Sequence, residues 1–378
     1  MVTIYLDVSA AVHSRAGLGR YAESLARYLI VEGNGKGDYG LFYNRDRTVR
    51  RLAGLAEVPV RTVRSGYKPW RMAVLLGQWM RLGFNRLVPD ATLFHATEHL
   101  LMPLRGVPAV LTVHDLIFRQ FPQYHKRLNY WYLNLAMPLY VRRADAIIAI
   151  SDCTRRDLVA AYGVPPEKVT VVYEAAAPHF APPSAEEVAR VRLRYGLPER
   201  FLLTVGTIEP RKNLSRLLTA FEIVARQELV DAWVIVGRPG WLYDDFFVRL
   251  EASSWRERVI LPGFVPDEDL PAVNAAATVA VLPSLYEGFG LPVLEAMACS
   301  VPVVCSETAS LPELGGDAVR YFDPTSAEAM ATVLAEVLSD EALRGEMRRQ
   351  GLKQAACFSW ERAARETRAL YDRLMESK

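Results

Sequence analysis

Along most of this chain, short runs of Val, Ile, Leu and aromatic residues alternate with longer stretches whose apolar positions recur every three or four residues. The runs Thr3–Asp7, Gly40–Tyr43, Pro108–His114, Ala146–Ile150 and Val169–Val172 show almost no polar alternation. Phe201–Val205, Ala232–Val236, Arg258–Leu261, Thr278–Leu282 and Val301–Cys305 repeat the pattern. A strand apolar on both sides is covered on both faces, which is the situation inside a parallel sheet. Helical spacing fits Gly19–Val31, Asp152–Tyr162, Asn213–Glu228 and Asp267–Ala276. The alternation predicts an α/β protein built from repeated βαβ units.

The alternation lapses at Ala175–Ser184, where three prolines interrupt any regular element. A fresh strand–loop–helix unit starts at Phe201, so two similar halves facing across a cleft are expected, with ligands beyond the carboxyl ends of their strands. A chain of 378 residues, 51% of them hydrophobic, suffices for two cores. A net charge of +2 creates no field that would demand nucleic acid. Cys153, Cys299, Cys305 and Cys357 lack metal-ligand spacing and are expected as reduced thiols in a cytoplasmic protein. No signal peptide is expected, because Met1–Leu6 runs straight into a strand pattern, and no apolar run reaches membrane-spanning length.

Four motifs carry candidate chemistry. Ser14–Tyr21 contains Gly17-Leu18-Gly19 between the first strand and a helix, where glycines let backbone approach a phosphate. An ordinary tight βα turn reads equally well there. Val113-His114-Asp115-Leu116 leaves an apolar strand, which puts His114 where it can hydrogen-bond a sugar hydroxyl or the reacting region, with Asp115 able to orient it. Val205–Asn213 ends a buried strand in Gly206 and sets Arg211 and Lys212 before a helix. Two cations there oppose the helix dipole, so an anion nearby is expected, and a departing diphosphate fits. Ser284–Met297 holds Glu287 and Glu295 around Gly288-Phe289-Gly290-Leu291, with Pro292 suited to a helix's first turn and Glu295 expected in that turn. Carboxylates accept hydrogen bonds from sugar hydroxyls, and the amides of Gly288–Leu291 suit phosphate or sugar oxygens. The same carboxylates also fit the acid and base of a hydrolase.

Three further patterns compete for a role. His95 and His99 follow a probable strand at metal-like spacing, but no third ligand is evident. Asp267-Glu268-Asp269 matches a metal–phosphate pattern, although at a helix start dipole complementation explains it. Val58–Pro89 carries Arg61, Arg64, Lys68, Arg71, Arg81 and Arg86 without an acid. Within it, Met72, Leu75, Leu76, Trp79 and Leu82 recur at helical spacing, and Trp70 and Trp79 suit an interface. That reads either as a surface helix near anionic lipid or as an ordinary amphipathic helix on the first sheet.

Taken together, these residues resemble glycosyltransferase family 4, the retaining group 1 transferases of GT-B fold. Gly206–Leu214, reading Gly-Thr-Ile-Glu-Pro-Arg-Lys-Asn-Leu, and Glu287–Met297 are similar to that family's strongest signatures. Gly17–Tyr21, His114–Leu116 and Ile150-Ser151 before Arg155-Arg156-Asp157 also fit. The His-Asp-Leu unit combined with Gly-Thr-Ile-Glu-Pro-Arg-Lys-Asn resembles bacterial mannosyltransferase-like members that build surface polysaccharide.

The resemblance implies two Rossmann-like domains, 1–178 on the acceptor side and 179–359 for the sugar nucleotide, with a last helix at about 360–378 returning to the first. It implies that Arg211 and Lys212 hold the diphosphate, that Glu295 binds the ribose, and that Glu287 with Gly288, Phe289, Gly290 and Leu291 holds the donor sugar. His114 would contact the sugar from the other domain, Gly17 and Gly19 would approach diphosphate and acceptor, and backbone near Phe264 and Val265 would meet the base. Thr207 stands where many members carry arginine, so that phosphate contact lacks its usual cation. The implied activity moves a hexose of mannose or glucose type from a GDP- or UDP-linked donor to a saccharide or polyprenyl-linked acceptor. No cofactor or metal is expected, and peripheral contact of 61–86 with the inner face of the cell membrane is. A sugar-nucleotide epimerase, a nucleotide-dependent oxidoreductase using Asn44 or Asp46, and a silent sugar-nucleotide binder are the alternatives.

Overall fold

A computed structural model describes residues 3–32, 37–46, 48–52 and 54–376. Its strands form two all-parallel sheets. The first contains β1 (Ile4–Asp7), β2 (Tyr39–Arg45), β3 (Val60–Arg64), β4 (Leu93–Ala96), β5 (Ala109–Val113), β6 (Ala146–Ala149) and β7 (Val169–Val171), in the order β3-β2-β1-β4-β5-β6-β7. The second contains β8 (Phe201–Val205), β9 (Ala232–Val236), β10 (Val259–Gly263), β11 (Val279–Leu282), β12 (Val303–Ser306) and β13 (Arg320–Phe322), in the order β10-β9-β8-β11-β12-β13. In each sheet the order reverses once, between β1 and β4 and between β8 and β11. Doubly wound sheets bind ligands at that reversal.

The chain divides into two units: one runs to Glu174 and takes back the stretch from Ser359, and the other is Ala175–Phe358. The returning helix Trp360–Glu376 buries Trp360, Leu370 and Tyr371 in the first unit. Tyr371 reaches His95 inside β4, with its hydroxyl 2.5 Å from Nδ1. Near-continuous Val, Ile and Leu make the strands fully buried on both faces, as in Ile147 and Ile148 of β6 or Val234 and Ile235 of β9. In the second unit, helix Leu214–Arg226 presses Leu217, Leu218, Phe221 and Val224 onto Trp233 and Ile235.

Several elements differ from the sequence reading. The first long helix begins at Ala16, not Gly19, and gives way to a π-turn at Tyr28–Glu32. Helix Leu270–Ala276 starts three residues after Asp267. His95 lies within β4, where Nε2 is 2.7 Å from the Thr112 hydroxyl. Trp70 is core, 3% exposed, and so does not sit at an interface, whereas Trp79 is 72% exposed. Cys153, Cys299 and Cys305 are buried free thiols, and Cys357 is exposed.

Candidate active site

In the second unit, the basic pair is set by the end of β8. Gly206 follows the strand at φ +150°, and its amide donates to the Val236 carbonyl at 2.9 Å. At the end of neighbouring β9, a Cβ on Gly237 would fall 1.9 Å from the Gly206 carbonyl oxygen, so glycine is required for this approach. The chain then turns through Pro210–Lys212, passes Asn213 at φ +58°, and enters helix Leu214–Arg226.

That turn is bonded to the end of β11. Asn213 donates its side-chain amide to the carbonyls of Pro283 (3.0 Å) and Pro324 (2.8 Å). The Leu285 amide donates to the Arg211 carbonyl at 2.9 Å, and Arg211 Nη1 donates to the Tyr286 carbonyl at 2.7 Å. Glu287 thereby meets both cations: Lys212 Nζ is 2.6 Å from Oε1 and Arg211 Nη1 is 2.8 Å from Oε2. Ser284 donates its hydroxyl to Oε1 at 2.6 Å. Arg211 also reaches Glu209 Oε1 at 2.5 Å.

Burial by itself would raise the Glu287 pKa. The adjacent Arg211 and Lys212 charges, with the hydrogen bonds from Lys212 and Ser284, overcome it and hold the group at about 2. The anion that two cations at a helix N-terminus called for therefore comes at least partly from the protein, as Glu287 and Glu209. Glu209 was not among the residues the motif reading assigned a role. Its Oε2 is buried without a partner, a state a sequence cannot display.

The Gly288–Gly290 turn is fixed from below by Ser310, whose hydroxyl lies 2.9 Å from the Glu287 carbonyl and 2.6 Å from that of Phe289. Gly290 caps helix Leu291–Ala298 at φ +113°, and a Cβ there would meet Leu311 at 2.6 Å. Pro292 occupies the first turn. Glu295 does not: it is the fifth helical residue, one turn further in, and is 3% exposed. Capping is therefore not its role. Thr207 is half-buried against Gly240. Beyond β10, Phe264 is 57% exposed with the Arg238 guanidinium 4.5 Å over its ring, and Val265 is buried.

The Asp-x-Asp pattern has a structural use in Asp269. Its carboxylate accepts from Arg190 (2.7 Å), Arg194 (2.8 Å) and Tyr195 (2.6 Å), all on helix Ala185–Tyr195. It ties two helices together and makes no cap for its own helix, which corrects the dipole reading. Among the described residues, no group of three or more His, Cys, Asp or Glu is arranged to hold a metal ion.

In the first unit, His114 follows β5 and is 5% exposed. Nε2 lies 2.9 Å from the Thr97 carbonyl and Nδ1 lies 3.3 Å from Glu174 Oε1. Both neighbours accept only, so both ring nitrogens carry hydrogen and the ring is an imidazolium. Burial works against that charge, but Glu174 and the Thr97 bond prevail and raise its pKa. The orienting carboxylate is thus Glu174, not Asp115, whose Oδ1 accepts from the Ile117 amide. The backbone amide of His114 donates to His99 Nε2 at 2.9 Å.

Gly17 and Gly19 are not in a loop. They form the first turn of helix Ala16–Arg27, where a Cβ on Gly19 would press to 2.9 Å from the Ala10 carbonyl oxygen, while Gly17 has open space around it. The same helix brings Tyr21 edge-on to His114, with ring centroids 4.8 Å apart. Beside its start, Arg15 bonds the buried Glu98 at 2.7 Å and lies over the Tyr67 ring.

A doubly wound sheet with a basic pair, a carboxylate and a glycine turn at its reversal point defines a nucleotide-sugar-handling α/β enzyme class. Comparison with known proteins is more specific. Residues 187–354 match the sequence model for "Glycosyl transferases group 1", and residues 15–180 match "Glycosyltransferase Family 4". The O-antigen chain mannosyltransferase B of Escherichia coli is 35% identical over 268 residues, covering 70% of this chain and 70% of that protein. The chain belongs to the group 1, family 4 glycosyltransferases.

Solved structures show the same fold. Sucrose-phosphate synthase from Thermosynechococcus elongatus superposes with a TM-score of 0.81 over 100% of both chains at 19% identity. Anabaena HepE, crystallised with UDP and glucose, gives 0.76 over 98% of this chain and 99% of its own at 18% identity. Each unit here is one of the two Rossmann-like halves of the GT-B fold. Membership in a transferase family sets aside the epimerase and oxidoreductase readings.

Proposed function

We propose that this protein is a retaining hexosyltransferase that moves mannose, or a glucose-type sugar, from a GDP- or UDP-linked donor to a saccharide or polyprenyl-linked saccharide during cell-surface polysaccharide synthesis. The convergence of Arg211, Lys212 and Glu287 at the β8–β11 reversal carries this reading. The identity with an O-antigen mannosyltransferase supports the mannose and polysaccharide assignment.

Lys212 has three donors and spends one on Glu287, so it can also meet a diphosphate oxygen. Gly206 leaves the approach to its ammonium uncrowded. Glu287 stays ionised at neutral pH and accepts from sugar hydroxyls. A carboxyl held at about 2 is a poor general acid, and with both oxygens on cations it is a weak nucleophile, which disfavours hydrolytic and covalent routes.

The step is a front-face substitution. The acceptor hydroxyl oxygen bonds to the anomeric carbon while the bond from that carbon to the diphosphate oxygen breaks on the same side. The hydroxyl proton passes to the departing phosphate oxygen, whose charge Arg211 and Lys212 stabilise. Glu295 holds the ribose, the amides of Gly288–Leu291 hold sugar and phosphate oxygens, Thr207 and the Gly17–Gly19 turn approach the diphosphate, and the backbone at Phe264–Val265 meets the base. His114 contributes fixed positive charge to the donor sugar's surroundings. A ring hydrogen bond to that sugar would require release of Thr97 or Glu174. No metal takes part.

No helix among the described residues is long and apolar enough to cross a membrane. The enzyme acts from the cytoplasm, with the 61–86 segment against the inner face of the cell membrane. A transfer assay with GDP-mannose, UDP-glucose and related donors against saccharide acceptors, with the product's anomeric configuration read by NMR, tests the proposal. An inverted product, or nucleotide release without any acceptor product, would overturn it.

A further inference from the structure

Two helices of the first unit lie side by side over one face of its sheet. The Tyr132 hydroxyl of helix Arg127–Arg143 donates to the Arg71 carbonyl of helix Tyr67–Met80 at 3.1 Å, and the Arg71 guanidinium sits 3.7 Å over the Tyr132 ring. Both bury their inner faces in one core: Trp70 and Val74 from the first, Leu133, Met137 and Tyr140 from the second.

Their outer faces are apolar too. Met72, Leu76, Trp79 and Met80 form a stripe on the first helix, all about half exposed or more, with Trp79 at 72%. Leu128, Trp131 and Leu135 form another on the second, at 86%, 61% and 63%. Because the buried faces share a core, both stripes open on the side away from the sheet. Monomeric proteins rarely expose so much contiguous apolar surface without using it.

Charge decides what covers it. Residues 58–89 and 116–144 contain eleven Arg and Lys and no Asp or Glu, although the whole chain carries only +2. Exposed Lys68, Arg81, Lys126 and Arg127 flank the stripes. A second copy of the chain would set this basic surface against itself, which is repulsive. An anionic surface complements it, and exposed tryptophans among basic side chains suit the headgroup layer.

We propose that the platform carrying Trp79 and Trp131 docks on an anionic lipid bilayer, its apolar stripes entering the headgroup–acyl boundary and its Arg and Lys meeting lipid phosphates. This extends the membrane contact proposed for 61–86 by a second helix that the sequence reading did not include.

The test is cosedimentation of the full chain with vesicles of phosphatidylcholine, alone or mixed with phosphatidylglycerol, together with tryptophan emission. Binding should be roughly tenfold or more tighter to the anionic vesicles, weaken with salt and shift emission to the blue. Trp79→Ser with Trp131→Ser should lose binding and the blue shift while keeping the parent melting temperature. Arg81→Gln with Lys126→Gln and Arg127→Gln should lose the preference for anionic lipid. Equal binding to both vesicle types, no binding, or parent-like binding by either variant would overturn the docking. So would a dimer seen by light scattering that the tryptophan variant abolishes, since the stripe would then belong to a second copy. Transfer to a soluble acceptor is measured in parallel. Vesicle binding without any transferase activity strikes the proposed function alone, and activity without vesicle binding strikes the docking alone.

Discussion

Lys212 and Glu287 are 75 residues apart in sequence and 2.6 Å apart in space, joined Nζ to Oε1 across neighbouring strands. The contact couples the group proposed to steady the leaving diphosphate to the group proposed to hold the sugar. Lys212→Ala should therefore lower kcat by roughly a hundredfold to a thousandfold, as loss of one preorganised charge donor does. Glu287 keeps Arg211 and Ser284, so the fold should survive with about 1–3 kcal/mol less stability. Paired replacement, Lys212→Met with Glu287→Leu, should recover part of that stability and none of the activity. Denaturant melts and turnover measured on the same preparations separate the two. Near-normal turnover in Lys212→Ala would remove the phosphate role.

Much of the second unit was readable because its chemistry sits at strand ends. The runs at β8 and β9 were legible to the residue, and the motif after each followed from the chain leaving a buried strand. Edge strands were not. β3, Val-Arg-Thr-Val-Arg, is mostly solvent-exposed, and its arginines conceal it within a basic stretch. Helix Arg127–Arg143 was hidden for another reason. It is apolar on its buried face and also on its outer stripe, so no one-sided periodicity marks it, and Pro138 lies inside it. Partners distant in sequence were invisible as well. Nothing about Glu174 announces that it stands against His114, because that contact depends on β5 and the chain after β7 ending side by side.

The His114–Glu174 pair gives a pH dependence with a definite sign. Its folded pKa lies above the ordinary histidine value, so its contribution to stability is complete below about 6.5 and is lost as pH rises through the raised value. Glu174→Gln should remove that contribution and bring the ring's titration, followed by NMR of its C–H protons, down toward or below the ordinary value. An unchanged titration would show that Glu174 does not hold the charge.

The buried neutral histidines act in the opposite direction. Burial lowers His95 to about 3 and His99 to about 4. In the unfolded chain both take up protons below about 6.5, so stability should fall as the solution is acidified from there, with a limiting slope of about 1.4 kcal/mol per pH unit for each ring. Glu287 adds to the loss, since its contribution is whole above its unfolded value and disappears as pH falls toward 2. Melting temperatures measured from about pH 4 to about pH 8 check this, and His99→Gln should flatten the acid limb.

Asp269 gives the last prediction, because it separates a structural carboxylate from a metal ligand. Its oxygens are bound to Arg190, Arg194 and Tyr195, and its side chain is only 1% exposed. The arginines are about half exposed, which weakens each pair through solvent screening. Asp269→Asn should lower stability by about 1–3 kcal/mol, because it removes the charge that the guanidinium groups share. Turnover below the melting range should stay within about twofold of the parent, since the pair lies on a helix–helix contact and not on a substrate. EDTA should leave both proteins active. If a chelator abolished turnover and one divalent ion restored it, and if Asp269→Asn weakened that ion's effect, the carboxylate would be a metal ligand and the helix clamp its secondary use.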